Sequence, residues 1–357
     1  MKKVLLGMSG GVDSSVSAVL LMEQGYEVIG CSLQLYDADA CSIREGGCCT
    51  PKDICDAKSM CASLGIKHIT LSYQDMFRKY IITPFVNTYL EGRTPNPCIE
   101  CNYQMKFGVM LDTAEEMGYD YAATGHYADI RFNDATGRYE LCKAKDRAKD
   151  QTYVLYRLTQ HQLAHTLFPL AGYTKPEIRE IAAKHDLISS KKPDSQDICF
   201  VPDGDYAGYI RRYSGNEEKG GVFADKEGNI LGTHGGVSRF TVGQRKGLGI
   251  ALGKPVFVVS KDAKTGVVTL GDERDLYRRE IDLEDVNLVS LAADGEYRLN
   301  AKIRYSAKEQ PCTALIKGDK AHIIFDDEAR APAPGQACVL YDGDAVAAGG
   351  VITADSV

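Results

Sequence analysis

The chain has 357 residues, enough for two or three domains that each bury a core of their own. Hydrophobic residues make up 44% and charged residues 25%, as in ordinary soluble globular proteins, and no apolar run approaches the roughly 20 residues that cross a bilayer. The formal net charge of −7 argues against a broadly basic protein that binds nucleic acid without specificity, but it leaves room for a local positive face that binds RNA. The first apolar stretch stops at Gly7, too early for a signal peptide, so we expect a cytoplasmic protein with no membrane partner.

The first half of the chain alternates short apolar runs with helical patterns. We predict strands over residues 3–6, 27–35, 68–71 and 121–124, and helices over 14–24, 51–64, 75–91 and 106–117. Strands separated by helices of this length indicate an α/β fold, a doubly wound parallel sheet with helices on both faces. From residue 159 to residue 185 the pattern predicts further helical segments.

The composition of the sequence and the spacing of its apolar segments change after Phe200. Glycine pairs at 220–221 and 235–236 and the run 243–249 indicate a small, β-rich central domain. Beyond about Glu280, short alternating segments separated by turn residues predict about six strands and a C-terminal β-barrel, with strands over 297–305, 312–317, 322–325 and 337–341. We therefore predict domains over residues 1–203, 204–275 and 276–357.

The segment from Gly7 to Ser15 joins the first predicted strand to the first predicted helix. Its glycines allow a tight turn that points several backbone N–H groups at one spot, and the positive end of the helix adds to their effect, which is typical of a phosphate site. The segment lacks the Gly-Lys-Ser/Thr ending of a Walker A loop. A glycine turn that only connects strand and helix is the alternative. The run Ser9-Gly10-Gly11-Val12-Asp13-Ser14 resembles the pyrophosphate loop of the ATP pyrophosphatases, which implies ATP and Mg²⁺ as cofactors.

The chain contains twelve cysteines, and in a cytoplasmic protein of this size they indicate metal binding or sulfur chemistry more than disulfides. Cys98 and Cys101 follow a proline-rich segment and precede a predicted helix. We expect the thiol of Cys101, near Arg93 and Lys106 in sequence, to have a lowered pKa and to be reactive. Cys199 is a second cysteine close to lysines, in a loop after a helix.

Several motifs in the same order resemble the tRNA-specific 2-thiouridylases over nearly the whole chain. Besides the two cysteine segments they are Thr124-Gly125-His126-Tyr127, Lys149-Asp150-Gln151-Thr152-Tyr153, the run 241–249, Arg304-Tyr305 and Pro334-Gly335-Gln336. The resemblance implies a sulfurtransferase that uses ATP to thiolate the wobble uridine of tRNA at C2. Adenylation of the C2 oxygen would release pyrophosphate, and sulfur transfer would then release AMP.

The resemblance also implies roles for individual residues. Those that would contact ATP are Gly7, Met8, Ser9, Gly10, Gly11, Val12, Asp13, Ser14, Leu33 and Gly125. Cys199 would receive a persulfide sulfur, and Cys101 would be the nucleophile that works with it. Those that would contact the tRNA are Asn96, Pro97 and Cys98 around the target base, and His126, Lys149, Asp150, Gln151, Arg304, Tyr305 and Gln336 elsewhere. The sulfur donor would be a persulfide relay protein, a cysteine desulfurase or sulfide.

One position departs from the family pattern, because many members carry Asp where this chain has Cys98. Three thiols, those of Cys98, Cys101 and Cys199, are able in principle to hold a 4Fe–4S cluster with one iron open for sulfide. A persulfide route and a cluster route therefore both remain open. A zinc knuckle is a third reading, but the sequence has no second ligand pair at suitable spacing.

The other cysteines and motifs have local alternatives. Cys31, Cys142, Cys312 and Cys338 are predicted to be buried small hydrophobes in strands, whereas Cys41, Cys48, Cys49, Cys55 and Cys61 match no metal motif and leave open a redox or second metal role. His126 is predicted to contact substrate, with a core histidine as the alternative, and residues 149–151 taken alone would be a solvated turn. Rival functions are a nitrogen-transferring ATP pyrophosphatase and a non-catalytic metal- or RNA-binding module.

Overall fold

A computed structural model describes residues 1–36, 51–187, 198–215 and 218–354. These residues form two compact units. Unit 1 comprises residues 1–81, 97–204 and 344–346, and unit 2 comprises residues 82–96, 205–343 and 347–357. No helix in the described ranges combines the length and the apolar character needed to span a bilayer.

The elements follow the predicted order, strands alternating with helices and then strands alone. The first part contains β1 Lys3–Gly7, α1 Val12–Glu23, β2 Glu27–Gln34, α2 Pro51–Ser63, β3 Lys67–Ser72, α3 Gln74–Phe77, α4 Thr83–Leu90, α5 Pro97–Glu100, α6 Met110–Glu116, β4 Tyr121–Ala123, β5 Ala128–Asn133, β6 Arg138–Lys143, α7 Gln160–Ala164, β7 Thr166–Leu167 and α8 Lys175–Lys184. The second part contains α9 Tyr206–Ser214, β8 Gly221–Ala224, β9 Ile230–His234, β10 Phe257–Asp262, β11 Val267–Gly271, β12 Tyr277–Leu288, β13 Gly295–Lys302, β14 Gln310–Lys317, β15 Lys320–Arg330, β16 Ala337–Asp342 and β17 Ala345–Ile352.

A five-stranded parallel sheet in the order β3-β2-β1-β4-β7 forms the centre of unit 1, which confirms the predicted parallel α/β fold. Val4, Leu5 and Leu6 of β1 are fully buried, as expected for the middle strand of such a sheet. Helices α1 and α8 pack apolar side chains, including Val16 and Ile178, into one core with the sheet. Because α1 packs on the buried face of this sheet, that packing sets the position of the first turn of α1.

Three parts of unit 1 differ from the prediction. Strand β7 has two residues, too few to produce a periodic pattern. The β5–β6 hairpin lies in a segment for which no strand bounds were predicted, although Cys142 of β6 was expected to lie in a strand. The helix predicted from residue 106 begins nine residues earlier, at Pro97, and continues from α5 through a π-helical stretch, Cys101–Val109, into α6. The sequence masked this start because proline in the first turn of a helix and proline in a loop look alike.

Unit 2 holds a four-stranded sheet and a closed barrel. The sheet has the order β10-β11-β8-β9, and Phe223, Val258 and Val268 are among its core residues. Six strands, β12-β15-β14-β13-β16-β17, form the barrel, which closes where β17 pairs with β12 from Ile352 opposite Leu283 to Ala348 opposite Leu288. The predicted barrel is confirmed, although its first and last strands were not among the segments predicted one by one.

Residues 82–96 belong to unit 2 because α4 packs on α9. The ring of Phe85 contacts Tyr206 and Tyr209 edge-on, and the ring of Tyr89 stacks on Tyr206 at an interplanar angle of 12°. Aromatic pairs of this kind add to the free energy gained from burial alone. The segment that leads into the Cys98–Cys101 helix is therefore anchored by unit 2 side chains up to Asn96.

The four cysteines predicted to be buried in strands are confirmed as such. Cys31, Cys142, Cys312 and Cys338 lie in β2, β6, β14 and β16 and are almost completely inaccessible. Burial raises the pKa of Cys31 to about 12 and the pKa values of Cys142 and Cys312 to about 11. These thiols stay protonated at neutral pH, so they behave as small apolar side chains.

We expect Gly125→Ala to destabilise unit 1. A Cβ at this position would lie 2.9 Å from the backbone carbon of Asp13 and 3.0 Å from the amide nitrogen of Ser14, so the end of β4 would have to move away from α1. Overpacking of this kind costs about 1–3 kcal/mol of unfolding free energy. Urea denaturation followed by circular dichroism measures the loss.

Gly172→Ala is the matched control for that substitution. Gly172 is exposed, no heavy atom of the described residues lies within 4 Å of the point that a Cβ would occupy, and its φ is not left-handed. Its substitution should leave stability within about 0.5 kcal/mol of the wild type. Equal stabilities for both variants would contradict the close approach of β4 to α1.

Candidate active site

The loop between β1 and α1 turns sharply at Gly10. This residue has a φ of +69°, and a Cβ there would lie 2.9 Å from the carbonyl oxygen of Asp53, so both conformation and space favour glycine. On the strand side, the amide of Met8 donates to the carbonyl of Cys31 at 2.7 Å, and the hydroxyl of Ser32 donates to the carbonyl of Met8 at 2.9 Å. The loop is thus held from β2 and approached closely by α2.

Serine hydroxyls stabilise the loop from within. The amide of Ser9 donates to Oγ of Ser14 at 3.3 Å, and the hydroxyls of Ser14 and Ser15 donate to the carbonyl of Gly11 at 3.1 and 2.9 Å. Gly11 is extended and precedes the first turn of α1, and no side chain of the described residues caps that helix. A helix start without a side-chain cap offers backbone N–H groups and a positive dipole end to an anion.

The other residues assigned to the nucleotide lie at the same edge of the sheet. Leu33 is buried near the carboxyl end of β2, and Gly125 follows the carboxyl end of β4, directly against Asp13 and Ser14. Ligands of parallel α/β sheets bind at this edge, outside the strand ends. The structure therefore brings the phosphate loop, Leu33 and Gly125 to one edge.

A lysine that the sequence analysis did not single out lies at this loop. Nζ of Lys175, the first residue of α8, lies 2.9 and 2.8 Å from the two carboxylate oxygens of Asp13. The hydroxyl of Tyr127 also donates to Oδ1 of Asp13, at 2.8 Å. Because 162 residues separate Asp13 from Lys175, no local pattern pairs them.

The Cys98–Cys101 segment lies on a helix, whereas the sequence predicts a position just before one. Cys98 is the second residue of α5 and is exposed, and Cys101 is partly buried and begins the π-helical stretch. In sequence the two thiols are three residues apart, which places them on the same side of one turn. Wide π-helical turns occur frequently at functional sites.

Hydrogen bonds and an ion pair with the segment 152–162 anchor this helix. The buried amide group of Asn102 donates to the carbonyl of Val154 at 3.0 Å, and Gln162 donates to the carbonyl of Tyr103 at 3.2 Å. Glu100 pairs with Arg157, whose guanidinium also lies 4.9 Å from the centre of the Tyr103 ring. The residues around Cys101 are therefore fixed on both sides of the thiol.

Cys199 is partly buried and lies in unit 1 as well. The amide of Val201 donates to the carbonyl of Ile198 at 2.9 Å, and the ring of Phe200 packs edge-on against Phe77. These contacts tie the Cys199 turn to the core beside α3. The lysines expected near Cys199, Lys191 and Lys192, lie outside the described residues.

Cys98, Cys101 and Cys199 are not among the groups of described residues whose ligand atoms are close enough to share a single metal ion. Within residues 1–36, 51–187, 198–215 and 218–354, the group whose ligand atoms all lie within 4.8 Å of one another is Glu115, His161 and His165. Among the remaining cysteines, Cys55 is exposed and Cys61 is buried in α2, where burial raises the pKa of Cys61 to about 11. Cys41, Cys48 and Cys49 lie outside the described residues.

His126 is buried, with 8% of its surface exposed. Its Nδ1 lies 2.6 Å from the hydroxyl of Thr124, and its ring packs against Phe107 and Phe168. Burial, with the positive charge of Lys106, holds the pKa of His126 well below its usual value, so the ring is neutral. These contacts favour the alternative of a core histidine over the expected tRNA contact.

Asp150 and Gln151 also point inward. The buried carboxylate of Asp150 accepts from the amide of Ala144 at 3.2 Å and from the hydroxyl of Thr152 at 2.6 Å, and Gln151 accepts from the amide of Tyr127 at 2.9 Å. Both side chains fix the backbone of this turn. Lys149 is half-buried beside them.

Unit 2 carries the remaining residues assigned to tRNA. Arg304 donates to the carbonyls of Val242 and Ala331 at 2.8 and 2.7 Å, while Tyr305 is 45% exposed, with the ammonium of Lys302 5.5 Å from its ring centre. Gln336 donates to the carbonyl of Thr94 at 2.8 Å. Gln336 thus positions the backbone just before Asn96 and Pro97, a supporting role that its motif did not reveal.

Comparisons with known proteins cover almost the whole chain. Residues 2–203 match the family described as tRNA methyl transferase HUP domain, residues 208–272 match the tRNA methyl transferase PRC-barrel domain, and residues 278–352 match the aminomethyltransferase beta-barrel domain. The chain is 50% identical over 355 residues to the tRNA-specific 2-thiouridylase MnmA of Acetivibrio thermocellus, covering 98% of this chain and 99% of that one.

A second relative gives the same result. The chain is 48% identical over 353 residues to the tRNA-specific 2-thiouridylase MnmA of Clostridioides difficile, with 98% of each chain covered. Both alignments run along the full lengths of the chains, so they include unit 1 with its phosphate loop and unit 2 with its barrel. The chain therefore belongs to the tRNA-specific 2-thiouridylase family.

Proposed function

We propose that this protein uses ATP to replace the C2 oxygen of the wobble uridine in tRNA with sulfur. The observation that carries the proposal is that unit 1 contains both an uncapped helix start suited to phosphate and the thiols of Cys101 and Cys199. The names of the full-length relatives support the same substrate and reaction. A phosphate site alone would fit many reactions, whereas its combination with two partly buried thiols favours sulfur transfer.

The first step of the proposed reaction activates the uridine. The C2 carbonyl is a poor electrophile, and transfer of AMP from ATP to its oxygen converts that oxygen into a leaving group. ATP enters with Mg²⁺ on its phosphates, and the loop from Gly7 to Ser14 holds them. The amides and dipole at the start of α1 stabilise the negative charge that develops on the departing pyrophosphate.

Sulfur transfer follows from a persulfide on Cys199. Its terminal sulfur attacks C2, AMP leaves with the former C2 oxygen, and the uridine is briefly joined to Cys199 through an S–S bond. The thiolate of Cys101 then attacks Sγ of Cys199, which releases the thiouridine and leaves a Cys101–Cys199 disulfide. A sulfur donor, such as a relay protein or a desulfurase, and an external thiol reductant complete the cycle.

The alternative sulfur route uses a 4Fe–4S cluster held by Cys98, Cys101 and Cys199. Three thiols are a suitable donor set for such a cluster, which would supply sulfide from its open iron. The two routes share the phosphate loop and differ in the need for Cys98. Cys98 lies in the first turn of α5, beside the proline-rich segment proposed to face the target base, and this position suits either a cluster ligand or a base contact.

We expect Cys101→Ser and Cys199→Ser to abolish thiolation, because a hydroxyl neither carries persulfide sulfur nor cleaves an S–S bond. Release of pyrophosphate from ATP in the presence of tRNA should continue in both variants. Thiouridine is measured by mass spectrometry of tRNA nucleosides. Cys55→Ser, at an exposed cysteine of α2, is the control and should keep activity. Full thiolation by either serine variant would contradict the roles proposed for Cys101 and Cys199.

The two sulfur routes are separated by anaerobic purification, an absorption spectrum and an iron count. On the persulfide route we expect a colourless, iron-free protein that thiolates tRNA when supplied with a persulfide donor. On that route Cys98→Ala should also retain part of its activity. Iron at about four atoms per chain, lost together with activity in Cys98→Ala, would instead establish the cluster route.

We expect Lys149→Ala to weaken tRNA binding and to lower the slope of log Kd against log salt by about one, as for the loss of one phosphate contact. Lys67→Ala is the matched control. Lys67 is exposed and lies at the amino end of β3, whereas the phosphate loop lies at the carboxyl ends of the strands. Titration of labelled tRNA at several salt concentrations measures both quantities. An unchanged slope would show that Lys149 makes no phosphate contact.

A further inference from the structure

The ion pair between Asp13 and Lys175 is a buried charge arrangement at the phosphate loop. Nζ of Lys175 contacts both carboxylate oxygens of Asp13 at 2.8 and 2.9 Å, and the side chain of Lys175 is only 9% exposed. The segment Gly7–Ser14 contains no basic residue of its own. A Walker A loop supplies its own lysine, but this loop has none. The cation beside it comes instead from Lys175 of α8, which is distant in sequence.

Several contacts place Lys175 at this point. Thr174 and Glu177 form a reciprocal capping box at the start of α8, and the backbone amide of Lys175 donates to the carboxylate of Asp146 at 2.9 Å. Lys145 pairs with Glu177 at 2.7 Å, which stabilises the same helix start. These bonds fix the origin of the Lys175 side chain, so its ammonium group reaches Asp13 from a defined position.

Asp13 creates an electrostatic problem for an anion at this loop. It is the second residue of α1, whose positive end would otherwise attract the phosphates. An uncompensated carboxylate there would repel a triphosphate, and the repulsion is stronger at a partly buried position than in water. The ammonium of Lys175 cancels that charge.

We propose that Lys175 is a positioning residue of the nucleotide site, which neutralises Asp13 and so allows the ATP phosphates to bind at the start of α1. The inference rests on the proposed use of ATP. If the ion pair only held α8 against α1, its loss would lower stability and would weaken the binding of charged and uncharged ligands alike. The proposed role instead predicts an effect on charged ligands only.

Isothermal titration calorimetry on the full-length protein tests this role with ATP, inorganic pyrophosphate and adenosine. In the presence of EDTA, Lys175→Met should weaken ATP and pyrophosphate binding at least about tenfold, whereas the Kd of uncharged adenosine should change less than about twofold. Lys175→Arg, which keeps the charge, should restore most of the affinity. Lys184→Met, at an exposed lysine in the last turn of the same helix, should match the wild type.

A double-mutant cycle with Asp13→Asn isolates the effect of the Asp13 charge. In the double variant Asp13→Asn/Lys175→Met, the Asp13 carboxylate is not left unpaired, so the variant avoids the folding defect that a buried unpaired charge causes. When residue 13 is Asn, Lys175→Met should change the Kd of ATP less than about threefold. An equal loss in both backgrounds would overturn the proposal in favour of direct phosphate contact, and an equal loss for adenosine would overturn it in favour of a structural tie.

The outcomes also separate this inference from the proposed function. A wild-type protein that binds ATP and thiolates tRNA, together with a Lys175→Met variant of unchanged ATP affinity, contradicts only the role of Lys175. A wild-type protein that binds neither ATP nor pyrophosphate contradicts the proposed function and this inference with it.

Discussion

The close approach of two backbones at the carboxyl edge of the parallel sheet is the constraint on which the site depends. The chain leaving β4 passes Gly125 in contact with Asp13 and Ser14, at a distance that leaves no space for a side chain. This contact fixes the start of α1 next to the strand ends. The positive end of the helix, the turn at Gly10 and the buried Leu33 consequently lie at one edge of the sheet.

Polar groups around that region are satisfied by partners within the loop and by two side chains that are distant in sequence. The serine hydroxyls bond to the loop carbonyls, and Tyr127 and Lys175 bond to Asp13. A loop whose shape is already fixed loses little conformational entropy when a ligand binds. The Cys101 helix is stabilised in the same way by Asn102 and the Glu100–Arg157 pair. Preorganisation of both parts fits a reaction in which a nucleotide-activated base must meet a thiol.

The motifs identify important positions without distinguishing contact from support. Asp150, Gln151 and Gln336 all use their side chains to hold backbone groups, and His126 is enclosed by aromatic rings. Tyr305, by contrast, is substantially exposed. A residue that orients a loop is constrained as tightly as one that touches the ligand, so sequence similarity alone assigns both kinds the same role.

Local patterns were sufficient to predict the parallel sheet, the glycine turn between β1 and α1, the barrel and the buried strand cysteines, because apolar periodicity and glycine turns act over a few neighbouring residues. Tertiary structure alone decided the two-residue strand β7, the helix start at Pro97, the inward orientation of His126 and the pairing of Asp13 with Lys175. Strand β7, the enclosure of His126 and the ion pair depend on partners far apart in the chain, whereas the helix start was missed because proline in a first helical turn resembles proline in a loop. Their energies arise only after the sheet has brought those partners together, which is why the sequence carries no short-range pattern for them.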